Sequence, residues 1–451
     1  MVSKALSRRE FLRTCVGAMG VAMAAGCAPV PVAPAPAAGP VPQAEAAKGP
    51  TVLRFSVWYG ESDIEVWDKV NDAFEKVHSD IKVDFEPLAW DQYWQKLQVG
   101  FAAGDPPDVI GMIMVYDYAA RKQLLPLDPL LERDNIERSQ WFPGLLKPGT
   151  WPIPNGQLFS LPYRMTGGGF FINKTLFDQA GIEYPKKGWT WPTEFLEKAL
   201  ALTVPEKEQW GTMVPWGHLV APFLFTNEVR VLTEDARHSN FLDPKVEEVF
   251  QFMQDLICKH KVAPSMEAVR GLGDYFLSGK VAMNPSALWN IPAYRKITDF
   301  EWDIVYYPLK EGVMKPGPWF GPDSLSIPTA SKHSDEAWKF LIFVAGTREA
   351  QKLMSATGIP VLIEQANDPE YLGEQAKLGP ASYALILEDA ADGDVFSPSP
   401  AWAEWTAVMN QYLPEIYNCR MPVKQALTEI HQKVEEILAQ VWTKLDELAQ
   451  T

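Results

Sequence analysis

Residues 51–114 read TVLRFSVWYGESDIEVWDKVNDAFEKVHSDIKVDFEPLAWDQYWQKLQVGFAAGDPPDVIGMIM, and this stretch decides the fold. Leu53, Phe55 and Val57 alternate with polar or lesser neighbours, the two-residue period of a strand. Ser62-Asp63-Ile64-Glu65 fits a capping box. It opens a helix on which Ile64, Trp67, Val70, Phe74 and Val77 recur three or four residues apart. Ile81, Val83 and Phe85 alternate as a second strand. A second helix, over Asp91 to Ala103, sets Trp94, Leu97 and Phe101 on one face, and Gly104-Asp105-Pro106-Pro107 breaks it. Asp108 to Met114 is a nearly continuous apolar run, as expected of a strand covered on both faces. The order βαβαβ predicts a parallel, helix-flanked sheet. In such sheets ligands sit beyond the carboxyl ends of the strands. Those ends are Trp58-Tyr59-Gly60, the loop from Pro87 to Asp91, and Tyr116-Asp117.

Further along, LPYRMTGGGFFIN (161–173) leads into a new apolar strand. No GK[ST] follows its three glycines, which excludes a phosphate loop; a sharp turn or a close backbone approach is the expected use. Helices are predicted near Thr193–Thr203, Pro244–His260 and Ser334–Ala345, and strands at Val281–Met283 and Trp302–Tyr307. Residues 423–449 form a long helix whose stripe is Ala426, Leu427, Ile430, Val434, Ile437, Leu438, Val441, Leu445 and Leu448. No internal repeat is visible.

The chain has 451 residues, too many for one ordinary core, so two lobes or domains are the default. Its formal charge is −16, and the basic residues Lys4, Arg8, Arg9 and Arg13 sit in the first 26, which leaves the body more acidic still. Such a surface repels nucleic acid and anionic lipid. Tryptophan is abundant, 17 residues beside 14 Tyr and 22 Phe. That excess suits sites that stack flat apolar faces and hydrogen-bond at the ring edges. The six histidines are scattered, with no HExxH or triad pattern.

Ser7-Arg8-Arg9-Glu10-Phe11-Leu12 resembles a twin-arginine export signal, and the short apolar stretch Cys15 to Gly26 reads as its signal core rather than a membrane span. Met23-Ala24-Ala25-Gly26-Cys27 resembles a bacterial lipobox, which implies lipid on the Cys27 thiol. Residues 1–27 are therefore read as a leader and 28–50 as a Pro/Ala-rich tether that cannot build a core. The resemblance implies export, with a lipid anchor at the outer face of the cytoplasmic membrane, on the cell surface or in the periplasm. Cys258 and Cys419 remain in the body and lack metal-site spacing. Export permits a disulfide, while folding before export in a reducing cytoplasm argues against depending on one; a bridge and two buried thiols stay open.

Several stretches together resemble the extracellular solute-binding proteins of ABC importers, in the class related to maltose-binding protein. They are Ala103-Gly104-Asp105-Pro106-Pro107-Asp108-Val109, Gln123-Leu124-Leu125-Pro126-Leu127, Leu161-Pro162-Tyr163 before Phe170-Phe171-Ile172-Asn173-Lys174, Phe276 to Met283 followed by Trp289, and Asp335 to Leu341 before Gly358-Ile359-Pro360. The resemblance covers roughly 51–445 and leaves 204–240 and 364–400 less clear. It implies an α/β, two-lobe periplasmic-binding-protein-like fold (type II), with a ligand cleft between lobes joined by three hinge crossings. The crossings fall near Leu161–Met165, Tyr306–Leu309 and Val344–Thr347. Lobe one is then 51–162 with 307–345, and lobe two 164–305 with 347–451. The implied partners are a small-molecule ligand, most simply a sugar, and the transmembrane subunits of an ABC permease; a monomer without cofactor or metal is expected.

Sugars offer weakly apolar ring faces that stack on aromatics, and vicinal hydroxyls that Asp or Arg can bridge. On that chemistry the candidate ligand residues in lobe one are Trp58, Tyr59, Asp91, Tyr93 and Asp117, with Arg164 at the first crossing. Asn284 and Trp289 follow the Val281–Met283 strand, where the family places a stacking aromatic. Trp319, Gly321 and Asp323 lie in GPWFGPDS, and Trp402 and Glu404 in a late aromatic helix beside Trp405. Bland readings stand beside these: Trp58 and Trp289 as core, Asp91 as a helix cap, Tyr93 as helix packing, Asp117 as a solvated acid, Arg164 as a hinge brace. The same fold holding a glycerol phosphodiester is the main alternative. A carbohydrate-active enzyme would need a carboxylate pair placed for catalysis, and none is evident.

Overall fold

The computed structural model describes residues 49–58, 63–152, 156–313, 319–392 and 396–449. The twin-arginine and lipobox readings, Cys27, nearly all of the tether, Tyr59 and the Ser62 cap lie outside these residues.

Ten strands are present among the described residues: β1 (Thr51–Trp58), β2 (Ile81–Leu88), β3 (Val109–Met112), β4 (Thr150–Trp151), β5 (Gln157–Leu158), β6 (Leu161–Asn173), β7 (Trp210–Thr212), β8 (Val281–Ala287), β9 (Trp302–Val305) and β10 (Phe320–Ser326). The opening βαβαβ unit folds as its periodicity demands. β1 pairs parallel with β2 in register Thr51↔Ile81 and with β3 at Phe55↔Val109. The helix Asp63–Val77 buries Trp67, Val70 and Phe74, and all four residues of β3 are buried. β10 then enters antiparallel between β3 and β6.

β6 ties the molecule together. All thirteen of its residues are buried. Its first half, Leu161–Gly167, pairs with β10, and its second half, Gly168–Asn173, pairs with β8 on one edge and β9 on the other. The strand therefore belongs to both lobes: β2-β1-β3-β10-β6 builds the first, and β6 with β7, β8 and β9 the second. The three glycines lie in the middle of it. At Gly167 a Cβ would stand 2.4 Å from the Trp319 carbonyl oxygen, so the close approach, not a turn, is what glycine allows here.

Phe55, Phe74 and Phe340 pack together in the first lobe, the helix Ser334–Gly346 supplying Phe340. In the second lobe, Phe250 of the helix Pro244–Cys258, Trp405 and Met409 of the helix Trp402–Tyr417, and Leu427, Ile430 and Val434 of the helix Val423–Ala449 share one core. Of the stripe read on that last helix, Ala426, Leu427, Ile430, Val434 and Leu438 are buried and Ile437 is partly covered; it loosens at its end, where Leu448 is exposed. The helix expected from Thr193 starts earlier, as a wide π-type turn over Trp191–Phe195, and ends at Ala201. Beyond Val344–Thr347 the helix Arg348–Met354 still packs on the helix Asp63–Val77 of the first lobe, because Ala350 and Met354 are apolar and buried there. Cys258 and Cys419 are joined by a disulfide, their Cα atoms 5.9 Å apart. Among the described residues no helix is long and apolar enough to cross a membrane.

Candidate functional site

A recess of about 370 Å³ opens where the carboxyl ends of β1 and β3 face the second lobe. That volume lies within the usual range of small-molecule sites. Its first-lobe wall is Trp58 with Trp90, ring centroids 5.3 Å apart, backed by Trp94 stacked on Trp58 at 5.6 Å. Ile113 and Met114, just past β3, complete that side. Three indoles from separate segments form the opposite wall: Trp289 after β8, Trp319 before β10, and Trp402 at the start of its helix. Trp289 and Trp90 keep 42% and 40% of their surface open, which is the apolar area a guest would cover. A wider hollow of about 560 Å³ lies around Asn173, Lys296 and Phe300, but no tryptophan lines it.

The polar end of the recess is built around Arg164 in β6. Its Nε donates to Asp323 Oδ2 at 2.6 Å, and its Nη1 donates to Asp63 Oδ1 at 2.7 Å. Nη1 also donates to the Thr357 hydroxyl at 3.3 Å. The three charged side chains are at least nine-tenths buried. Burial opposes the Arg164 charge, but Asp323 and Asp63 hold the guanidinium protonated far above its ordinary range. Burial pushes the Asp323 carboxyl up, against the downward pull of Arg164. One guanidinium thus faces two carboxyl groups. Gly358 makes room for it: a Cβ there would meet the Arg164 side chain at 2.8 Å. Thr166 lines the recess as well, and its buried hydroxyl has no hydrogen-bond partner among the described residues.

Of the residues expected from sequence, Trp58, Arg164, Trp289, Trp319, Gly321, Asp323 and Trp402 line this recess together. The others do not. Tyr93 is buried in the first core, its hydroxyl donating to the Gly111 carbonyl at 2.5 Å. Asp91 is exposed in the first turn of the helix Trp90–Ala103. Asp117 pairs with Arg121 at 2.8 Å, one turn along its own short helix; burial, with Glu404 adding to it, pushes its carboxyl up. Asn284 is buried and donates to the Tyr294 hydroxyl at 2.9 Å. Glu404 points out, exposed, from the first turn of its helix, while Trp405 beside it is fully buried.

Sequence reading missed Asp63, Trp90, Thr166, His218, Thr357 and Phe396, all of which line the recess. Trp90 sits in the Pro87–Asp91 loop already marked as a strand end, and Asp63 in the capping box. His218 and Phe396 come from the two segments that the family pattern leaves less clear. Nothing local distinguishes them. Among the described residues no group of three or more His, Cys, Asp or Glu is arranged to hold a metal ion.

Comparison with known proteins agrees with this architecture. Among solved structures, the Listeria monocytogenes ABC substrate-binding protein Lmo0181, in complex with cycloalternan, is similar with a TM-score of 0.79 at 22% identity, over 86% of this chain and 99% of that one. A putative binding protein of Brucella abortus (strain 2308) is 23% identical over 383 residues, 82% of this chain and 89% of its own length. An uncharacterized lipoprotein of Streptomyces antibioticus is 24% identical over 352 residues, 71% of this chain and 73% of its own. The family model for bacterial extracellular solute-binding proteins matches residues 60–351. With two lobes sharing β6 and a recess between them, the chain belongs to the bacterial extracellular solute-binding protein family, whose members capture a solute without chemically changing it.

Proposed function

We propose that the chain is the capture component of an ABC importer for a neutral carbohydrate, a mono- or oligosaccharide held between the lobes and delivered to the permease. One observation carries this reading: five indoles surround a recess whose single guanidinium is already engaged by two carboxylates. Indole faces suit the C–H faces of sugar rings. The charged cluster offers oxygens and N–H groups that can bridge vicinal hydroxyls, and a sugar lacking one of those hydroxyls would leave a buried polar group unpaired. A phosphodiester would need a free cation. Arg164 is not free, since Asp323 and Asp63 already engage it, so the sugar is favoured over the glycerol phosphodiester.

Lobe closure around the guest is the mechanism that fits this geometry. The ligand favours the closed state through its greater affinity for it. Trp58 and Trp90 move with the first lobe and Trp289 and Trp402 with the second, so only the closed form stacks a sugar on both faces. The lobe boundaries given above and a monomeric state belong to the same proposal. So do export by the twin-arginine route and anchoring through lipid on Cys27; Cys27→Ala is expected to move the chain from the membrane fraction to the soluble one.

A thermal-shift screen tests the ligand class, with cycloalternan, maltose and mannotriose against glycerophosphocholine and amino acids. A bound glycan at 100 times its Kd adds about 2.7 kcal/mol of stability, and tryptophan emission changes with it. Stabilisation by the anionic or zwitterionic controls alone sinks the carbohydrate reading.

A further inference from the structure

His218 occupies the point where the indoles of Trp289, Trp319 and Trp402 converge. It belongs to a short turn, Gly217–Val220, and follows Gly217 at φ 58°. The imidazole centroid lies 4.7 Å from Trp319, 6.1 Å from Trp289 and 6.3 Å from Trp402. The ring lines the recess, yet neither of its nitrogens has a hydrogen-bond partner among the described residues. The residue is only part-buried, so the ring can present its nitrogens to a guest in the recess. Burial disfavours the charged ring, bringing its pKa down to about 4, and no carboxylate offsets this. The ring is therefore neutral in ordinary conditions, with one nitrogen donating and the other accepting. That pair matches hydroxyl groups, each of which can accept and donate.

We propose that His218 is the specificity-determining residue of the second lobe: its two ring nitrogens hydrogen-bond ligand hydroxyls beside the indoles of Trp289, Trp319 and Trp402. The proposal rests on the carbohydrate reading and adds to it the lobe-two group that recognises the sugar's rim. The indoles set which flat face is accepted; His218 sets which hydroxyl pattern is.

The test is titration calorimetry with cycloalternan, maltose and mannotriose on the natural chain, His218→Phe and His218→Gln. His218→Phe keeps a planar ring against the indoles and removes both nitrogens. It is expected to weaken the binding seen in the natural chain by about 10- to 100-fold, and His218→Gln, which retains a donor and an acceptor, to recover part of it. Binding by His218→Phe within about twofold of the natural chain overturns the proposal and leaves the carbohydrate reading standing. Failure of all three probes to bind the natural chain overturns both. Should His218→Phe lose cooperative unfolding, the natural chain labelled with 15N at histidine decides: the imidazole resonance absent from His218→Gln must shift on saturation with the probe, and an unmoved resonance overturns the assignment.

Discussion

Arg164 shows how one residue in a central strand can serve the fold and the site at once. Its neighbours in β6 are apolar and buried, and it is tolerated there because Asp63 and Asp323 meet its guanidinium directly. Removing one partner from such a cluster leaves unbalanced charge in the interior. Arg164→Met is therefore expected to lower stability by about 3–5 kcal/mol, read by urea unfolding, and to abolish glycan binding; a loss below about 1 kcal/mol would mean the carboxylates are far better solvated than their burial implies. The tryptophans divide in the same way. Trp289 is half open to the recess, whereas Trp405, between Phe241 and Phe396, is fully buried. Trp289→Ala is expected to cost about 2 kcal/mol of ligand affinity, about 30-fold, with little change in the ligand-free midpoint. Trp405→Ala is expected to cost about 3–5 kcal/mol of stability. The reverse pattern in paired calorimetry and denaturation would show that the two rings have been assigned the wrong way round.

At the level of elements, β6 and its partner β10 bring the cleft residues into one place. Pairing of Asp323 with Arg164 across these strands sets the ion pair, and the same ladder brings Trp319 beside Gly167. A second long-range tie is the disulfide from the end of the helix Pro244–Cys258 to Cys419, just past the helix Trp402–Tyr417. It spans 161 residues of sequence. Cross-links over loops of that order stabilise mainly by restricting the unfolded chain, by about 2–5 kcal/mol. Reductant is thus expected to lower the calorimetric Tm. Glycan affinity measured well below that Tm should be unchanged, because neither cysteine lines the recess. Equal Tm values with and without reductant would show that the bridge does not form in solution.

For the whole molecule, a neutral histidine held against three indoles makes stability depend on pH. The ring is charged more readily in the unfolded chain, near pH 6.5, than in the folded one, where burial brings the pKa to about 4. Stability from this group is complete above about pH 6.5 and falls as pH drops toward 4, because the unfolded state then binds the extra proton. Between pH 7 and 4.5 the natural chain should lose about 2–3 kcal/mol more than His218→Phe in urea unfolding; parallel losses would show that the ring is solvated. Much of this architecture is legible in residues 51–114 and 423–449, since burial imposes a two-residue period on a strand and a 3.6-residue period on a helix. Trp58, Trp289, Trp319 and Trp402 could be nominated as well: Trp58 ends a predicted strand, Trp289 follows one where the resembled family places an aromatic, Trp319 lies in a Pro-bounded turn, and Trp402 in a late aromatic helix. Tyr93 could not be told from a ligand residue in the same way: its helical neighbours carry the same aromatic signal, and only packing turned it toward Gly111. The partnership of Arg164 with Asp63 and Asp323, the gathering of indoles around His218, and the bond between Cys258 and Cys419 join residues about 70 to 185 positions apart. Local periodicity says which face of an element is buried, but not which distant element covers it, so these contacts were decided only when the two lobes closed on β6.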